Sequence, residues 1–301
     1  MISILQSLKF HRVEVGDFML VESVRTKRDT CVLSFVDIDA GTLGQLGESG
    51  FKQESIAPML GFAEPLDNGI FLVGAGGRLG ISVSGVSTHW TEPLLAEGQR
   101  FNDATIDCMG RLIVGTLSLR EDTSSLDNCL FVLEKDGTLT AIRNQVGLSN
   151  GIAVDPHSGD LFHADTLRST IHRIPLNQDS GSYGQAEMVH SFAANENPDG
   201  LILLQSGELL VALWGSGVLV AIDVNLGEVE RSVVPPSFPT SVCICNRCGD
   251  LWLGSASEPR GSENLVKAPG ALWKSSTAMR QFPAYDWDPV PIEIIRLGKA
   301  C

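Results

Sequence analysis

Positive charge is scarce in this chain. Its 301 residues carry 22 Lys and Arg against 36 Asp and Glu, a formal net charge of −14. Nucleic acid and anionic membrane surfaces would repel such a protein, so neither is expected as a partner. The acid excess is compatible with a cation site but does not place one. No run approaches the roughly 18 apolar residues needed to span a bilayer. The opening Met1-Ile-Ser-Ile-Leu-Gln-Ser-Leu-Lys-Phe-His-Arg12 is too short and too interrupted for the apolar region of a signal peptide. The 7 cysteines, an odd number without a secretory signal, fit free thiols in a reducing compartment, so the cytoplasm is the expected location. Long helical periodicity is missing, which disfavours βαβ alternation. No strand–turn–helix nucleophile elbow is expected, which disfavours a serine hydrolase.

What is present is material for a core, 43% hydrophobic residues, and 31 glycines and 14 prolines spread along the chain, as many short strands joined by turns require. One phrase recurs: a turn ending in glycine, then a short apolar strand ending in small residues. It reads Asn68-Gly69-Ile-Phe-Leu-Val-Gly74, Gly110-Arg-Leu-Ile-Val-Gly115, Gly159-Asp-Leu-Phe-His-Ala164, Gly207-Glu-Leu-Leu-Val-Ala212 and Gly249-Asp-Leu-Trp-Leu-Gly254. The leading glycines are 41, 49, 48 and 42 residues apart, and a degenerate sixth copy runs Asp29-Thr-Cys-Val-Leu-Ser-Phe-Val-Asp37. Units of this length with several short strands match propeller blades. The expected fold is therefore all-β: a six-bladed β-propeller forming a single domain over residues 1–301. A strand around Leu8 to Val15 is expected to complete the last blade and close the ring, which removes open sheet edges.

Residues at one offset from the repeated glycine should face the same axis. Eight or nine positions before it lie Asn102, Asn150 and Asp199; the first unit offers Glu22, the sixth Thr240 and Ser241, the second only Gly61 and apolar neighbours. Two carboxylates and two amides converging on a channel are hard oxygen donors, suited to Ca²⁺, Mg²⁺ or Mn²⁺. Asn150-Gly151 and Asp199-Gly200 taken singly would pass for tight turns; their common phase argues for a site in the central channel.

At these residues the chain resembles the senescence marker protein/gluconolactonase family, which includes regucalcin and luciferin-regenerating-enzyme-like proteins. The matching phrases are Leu20-Val-Glu22-Ser23, Phe35-Val-Asp-Ile38, Arg100-Phe-Asn102-Asp103, Gly115-Thr-Leu117, Ser149-Asn150-Gly151-Ile-Ala153, Asn197-Pro-Asp199-Gly200, Val211-Ala-Leu-Trp214 and Pro239-Thr240-Ser241-Val-Cys243. The resemblance implies one divalent metal ion, Ca²⁺ first with Mg²⁺, Mn²⁺ or Zn²⁺ as alternatives, held by Glu22, Asn150 and Asp199. It implies substrate-binding roles for Arg100 and Asn102, with Arg120 and Glu121 in the neighbouring substrate loop. Departures fall on the substrate side. Glu22-Ser23 runs into Val24-Arg25-Thr26, Ala104 follows Asn102-Asp103, and Arg120 stands where sugar-lactonase relatives can carry an acid.

The expected activity is a metal-dependent lactonase or esterase acting on a small-molecule lactone or ester. Asp199 would accept the proton of the attacking water and Asp103 is a second candidate. The alternatives are an isomerase or cyclase working on a metal-bound carbonyl, or a calcium-binding scaffold without catalysis. A monomer or weak oligomer is expected. Cys243-Ile-Cys245-Asn-Arg-Cys248 invites a zinc reading, but it supplies three thiols and no fourth Cys or His nearby. His163 reads as a packed strand residue, and Trp214 and Trp252 as core or channel wall.

Overall fold

The computed structural model describes residues 5–27, 30–67, 69–84, 86–120, 127–258 and 268–298. Six antiparallel sheets stand around an axis, each with its first strand innermost. The inner strands are Val21–Thr26, Leu60–Asp67, Gln99–Ile106, Ser149–Val154, Asn197–Leu203 and Pro239–Cys245, belonging to blades 1 to 6 in that order. Each touches the next, and blade 6 touches blade 1, so the ring is closed. Blade 6 supplies only three strands from its own stretch of chain; His11–Arg12 adds the fourth, pairing with Lys274 and Trp273. The expected N-terminal closure is thus present, with the Val13 amide also reaching the Leu272 carbonyl at 2.9 Å. Helix is confined, among the described residues, to two short 3₁₀ turns, Thr166–Arg168 and Ile292–Ile294. None of the described helices is long and apolar enough to cross a membrane.

The repeated glycine marks the corner between the first and second strands of a blade. Gly69, Gly110, Gly159, Gly207 and Gly249 all have left-handed backbone, with φ of 73°, 75°, 79°, 103° and 70°. A side chain would be strained there, which is why the sequence repeats glycine at that place. The corner is at one end of the channel. Residues eight or nine positions earlier therefore lie at the other end, which is why one offset collects one ring of side chains.

Apolar residues of neighbouring blades fill the space between them. Between blades 1 and 6, Phe18, Phe35 and Trp252 pack with Val21, Leu33 and Leu272. Phe35 meets Phe18 edge-on at 5.1 Å and stacks on Phe51 at 6.0 Å. Each such buried ring contributes roughly 1.5–3 kcal/mol. At the corner end of the channel, Gln281 to Tyr285 cross beneath the inner strands and line a small cavity of about 90 Å³. The chain then continues to Arg296–Leu297, which joins the outer strand of blade 3 in parallel. Free thiols are found at Cys31, Cys108, Cys243, Cys245 and Cys248, but Cys129 is disulfide-bonded, which corrects the expectation of free thiols for that residue.

Candidate functional site

Every inner strand carries an irregularity at the same height. The pairing with the second strand shifts between Glu22 and Arg25, Leu60 and Phe62, Phe101 and Ala104, Ser149 and Ile152, Pro198 and Leu201, and Pro239 and Val242. A bulge places an extra residue in the strand and re-aims its side chain. In blades 3, 4 and 5 the first residue of the bulge is Asn102, Asn150 and Asp199; in blade 6 it is Thr240. Asn150-Gly151 and Asp199-Gly200 are therefore mid-strand bulges and not tight turns. Their glycines let adjacent blades close up. A Cβ on Gly151 would stand 2.4 Å from the Asp199 carbonyl oxygen, and one on Gly200 would stand 2.7 Å from that of Thr240. In blade 1 the register puts Ser23, with left-handed backbone (φ 50°), at the bulge. Glu22 sits one residue ahead of it.

The side chains interlock around the ring. Arg100 Nη1 donates to Asn102 Oδ1 at 2.6 Å, and Asn102 Nδ2 donates to Asn150 Oδ1 at 3.1 Å and to the Ser149 carbonyl at 2.7 Å. Asn150 Nδ2 reaches Thr166 Oγ1 at 3.2 Å, and Thr166 donates to the carbonyl of Pro198, next to Asp199. Asp199 is buried, and its Oδ1 has no hydrogen-bond partner. An unsatisfied buried carboxylate oxygen is costly, so it marks a place where a ligand is expected.

The sequence reading missed Arg25 and Glu64. Arg25 donates to Asp103 Oδ1 at 2.7 Å and to Glu64 Oε2 at 3.3 Å, tying blades 1, 2 and 3 together. The only signal was that Arg25 stood where the family pattern has another residue type. Asp103 Oδ1 also accepts from the Ala104 amide, so this carboxylate is held by its neighbours.

Burial raises the Glu22 carboxyl to about 8, with Asp103 adding to the effect and Arg100 and Arg25 opposing it. Asp199 is pushed well up by burial, then by Glu22 and Asp103. Arg100 is brought down to about 10 by burial, against the pull of Glu22, Asp39 and Asp199. Four acids, Glu22, Glu64, Asp103 and Asp199, face two guanidiniums, Arg25 and Arg100. With Asp39 also pulling on Arg100, the group carries an excess of negative charge that a divalent cation would offset. Glu22, Asn150 and Asp199 offer oxygen donors, and the partnerless Asp199 Oδ1 fits such an ion.

Arg120 lies on the rim of blade 3, exposed, where Leu119 donates to the Gly98 carbonyl at 2.7 Å, just before Arg100 on the neighbouring strand. Glu121 lies outside the described residues, as does most of the segment from Glu258 to Lys267 considered for the channel mouth. Trp252 is buried beneath Lys274, and Trp214 packs on Phe238 at 5.0 Å.

His163 is fully buried between blades, hydrogen-bonded to Ser149 Oγ at 2.7 Å. The letters Gly147-Leu-Ser149-Asn-Gly151 do match Gly-x-Ser-x-Gly, yet Ser149 begins a strand that another strand follows, so no elbow forms. The tautomer settles the chemistry. Arg143 Nη1 can only donate to His163 Nδ1, at 2.8 Å, so the ring proton sits on Nε2 and is donated to Ser149. A histidine that donates to a serine cannot take its proton. Burial first, then Arg143, holds His163 well below the usual histidine range and so neutral.

Residues 20–257 match the family described as the SMP-30/gluconolactonase/LRE-like region. A pentonolactonase of Haloferax volcanii is 27% identical over 280 residues, covering 88% of this chain and 91% of that protein. Regucalcin of Danio rerio is 26% identical over 288 residues, covering 91% and 95%. A solved structure of regucalcin from Agrobacterium tumefaciens, described as a calcium-binding protein, superposes with a TM-score of 0.81 at 18% identity, over 94% of this chain and 98% of that one.

Proposed function

The chain belongs to the SMP-30/gluconolactonase/LRE-like family, and on that premise we propose that it is a divalent-metal-dependent lactonase with its site among the inner-strand bulges. The observation that carries this reading is the buried Asp199 Oδ1 without a partner, beside Glu22, Asn150 and Arg100. Glu22, Asn150 and Asp199 would hold the ion, with Ca²⁺ the first choice and Mg²⁺, Mn²⁺ or Zn²⁺ as alternatives. Bound there, such an ion supplies Lewis acidity toward a lactone carbonyl and toward water.

The chain's own groups account for the rest. Asn102 spends its two amide N–H bonds on the Ser149 carbonyl and Asn150 Oδ1 and accepts from Arg100, so its part is to hold the Arg100 guanidinium in place before substrate arrives. Arg100 carries five N–H donors, and its positive charge favours the oxyanion that develops as the ester bond opens. Asp199, with one oxygen given to the ion, would take the proton of the attacking water on its other oxygen. Asp103 is held at Oδ1 by Arg25 and the Ala104 amide, adds to the charge balance and is the second candidate to accept a proton. Arg120 at the rim is suited to a substrate with an acidic or strongly polar group. The pentonolactonase among the relatives supports the substrate class; Val24-Arg25-Thr26, Ala104 and Arg120 point to a lactone other than a simple aldonolactone. Asp199→Asn should lose metal binding and turnover together; retention of full activity would overturn the assignment.

A further inference from the structure

Among the described residues, one group of three His, Cys, Asp or Glu side chains has its ligand atoms all within 4.8 Å of one another: Cys31, Cys245 and Cys248. It lies at the corner end of the channel. Cys245 ends the inner strand of blade 6, four residues and roughly 13 Å along the strand from Ser241 in the oxygen-lined ring. Cys248 is in the turn that follows, and Cys31 comes from the first corner of blade 1. The run Cys243-Ile-Cys245-Asn-Arg-Cys248 suggested a different trio. Cys243 is buried with its sulfur 3.5 Å from Thr26 Oγ1 and is not in the group. Cys31, more than 200 residues away in sequence, takes its place.

We propose that Cys31, Cys245 and Cys248 form a thiolate site for one zinc ion that pins blade 1 to blade 6. Three sulfurs bound at about 2.3 Å to a tetrahedral centre stand about 3.8 Å apart, within reach of the present spacing by small rotations of the side chains. Thiolates select a soft or borderline cation over Ca²⁺ or Mg²⁺, so this site does not compete for the ring's first-choice ion, and a thiolate-to-metal band reads this site alone. The fourth position belongs to solvent. Cys248 is exposed, and the neighbouring carboxylate of Asp250 is held by Lys274 Nζ at 2.7 Å. Three thiolates and one Zn²⁺ leave a single negative charge, and Lys27 and Arg247 line a groove of about 450 Å³ alongside Thr30. The location gives the ion work to do. The ring closes through blade 6, whose short fourth strand pairs His11 with Lys274 and Arg12 with Trp273 and is continued by the Val13 amide to the Leu272 carbonyl and a bridge between Phe18 and Gly270. A cross-link between blades 1 and 6 reinforces that closure.

The inference does not rest on the hydrolase reading, and its test keeps the two apart. The whole chain is reduced, stripped of metal and titrated anaerobically with Co²⁺ and then Zn²⁺. One equivalent of Co²⁺ should give a thiolate-to-cobalt charge-transfer band that Zn²⁺ abolishes, and Zn²⁺ at a hundredfold over its Kd should raise Tm by about 5 °C. Cys31→Ser and Cys248→Ser, checked for native circular dichroism, should lose the band and the shift. Cys243→Ser and Asp199→Asn should keep both. No band from fully reduced protein, a band that survives in Cys31→Ser, or a site occupied only in proteins with an intact Asp199 would overturn it.

Discussion

Replacing Asp199 with Asn should change stability in opposite directions with and without metal. In the metal-free channel the Glu22 carboxyl titrates at about 8 against an ordinary value of 4.5, because it is buried beside Asp103 with Asp199 close by. The folded state therefore holds a proton that the unfolded chain has released. That contribution is fully present below pH 4.5 and is lost as pH rises toward 8. The full interval would be worth roughly 5 kcal/mol at 1.36 kcal/mol per pH unit. Shared titration and partial exposure bring this to about 2–3 kcal/mol. Asp199→Asn removes a carboxyl that burial, Glu22 and Asp103 push well up and whose Oδ1 lacks a partner. In chelator at pH 8 the variant should be about 1–2 kcal/mol more stable than the native chain, and at pH 5 the gap should close. In millimolar Ca²⁺ the order should reverse, since only the native chain gains from the cation. Thermal melts of both proteins at pH 5 and 8, in EDTA and in Ca²⁺, read this directly. A variant less stable than native in EDTA at pH 8, or one stabilised equally by Ca²⁺, would refute the reasoning.

Three further outcomes follow from the same geometry. Gly151→Ala puts a Cβ 2.4 Å from the Asp199 carbonyl oxygen and 2.5 Å from the Leu201 amide. It should cost about 2–3 kcal/mol in urea unfolding and lower turnover by displacing Asp199, whereas unchanged kcat would show that the bulge does not set that residue. Ser149→Ala should cost about 1–2 kcal/mol through the lost His163 bond yet keep turnover within about threefold; abolished turnover in a folded variant would restore a serine nucleophile. His172 is brought down to about 4 by burial and by Arg143. The unfolded chain then binds a proton between pH 6.5 and 4 that the folded chain does not, so stability should fall by about 1–2 kcal/mol across that window. His172→Gln should flatten the fall, and an unaltered pH profile would place the titration elsewhere.

Much of the fold was legible because one backbone requirement recurs. Five corners need left-handed backbone, glycine supplies it, and its 40–50-residue period carried the blade count. The ring of Asn102, Asn150 and Asp199 was legible for the same reason, since equal distance from the corner means equal height in the channel. Glu22 was less so: Ser23 with its left-handed backbone occupies the bulge, and Glu22 projects from the residue before it. Arg25, Glu64 and Asp103 meet across three blades, and no spacing along the chain encodes that meeting. Cys31 joins Cys245 and Cys248 in the same way, through contact between the first blade and the last. The letters around Ser149 would have misled by themselves, because Arg143, from the outer strand of blade 3, is what fixes the His163 tautomer.

Hydrolysis of a panel of lactones by the purified chain, before and after chelation and with Ca²⁺, Mg²⁺, Mn²⁺ or Zn²⁺ restored singly, tests the central claim most directly. The account predicts that at least one lactone is opened, that chelation abolishes turnover, and that one divalent ion restores it in the native chain but not in Asp199→Asn. Turnover that survives complete metal removal, or tight binding of the ion with no lactone opened, would contradict it.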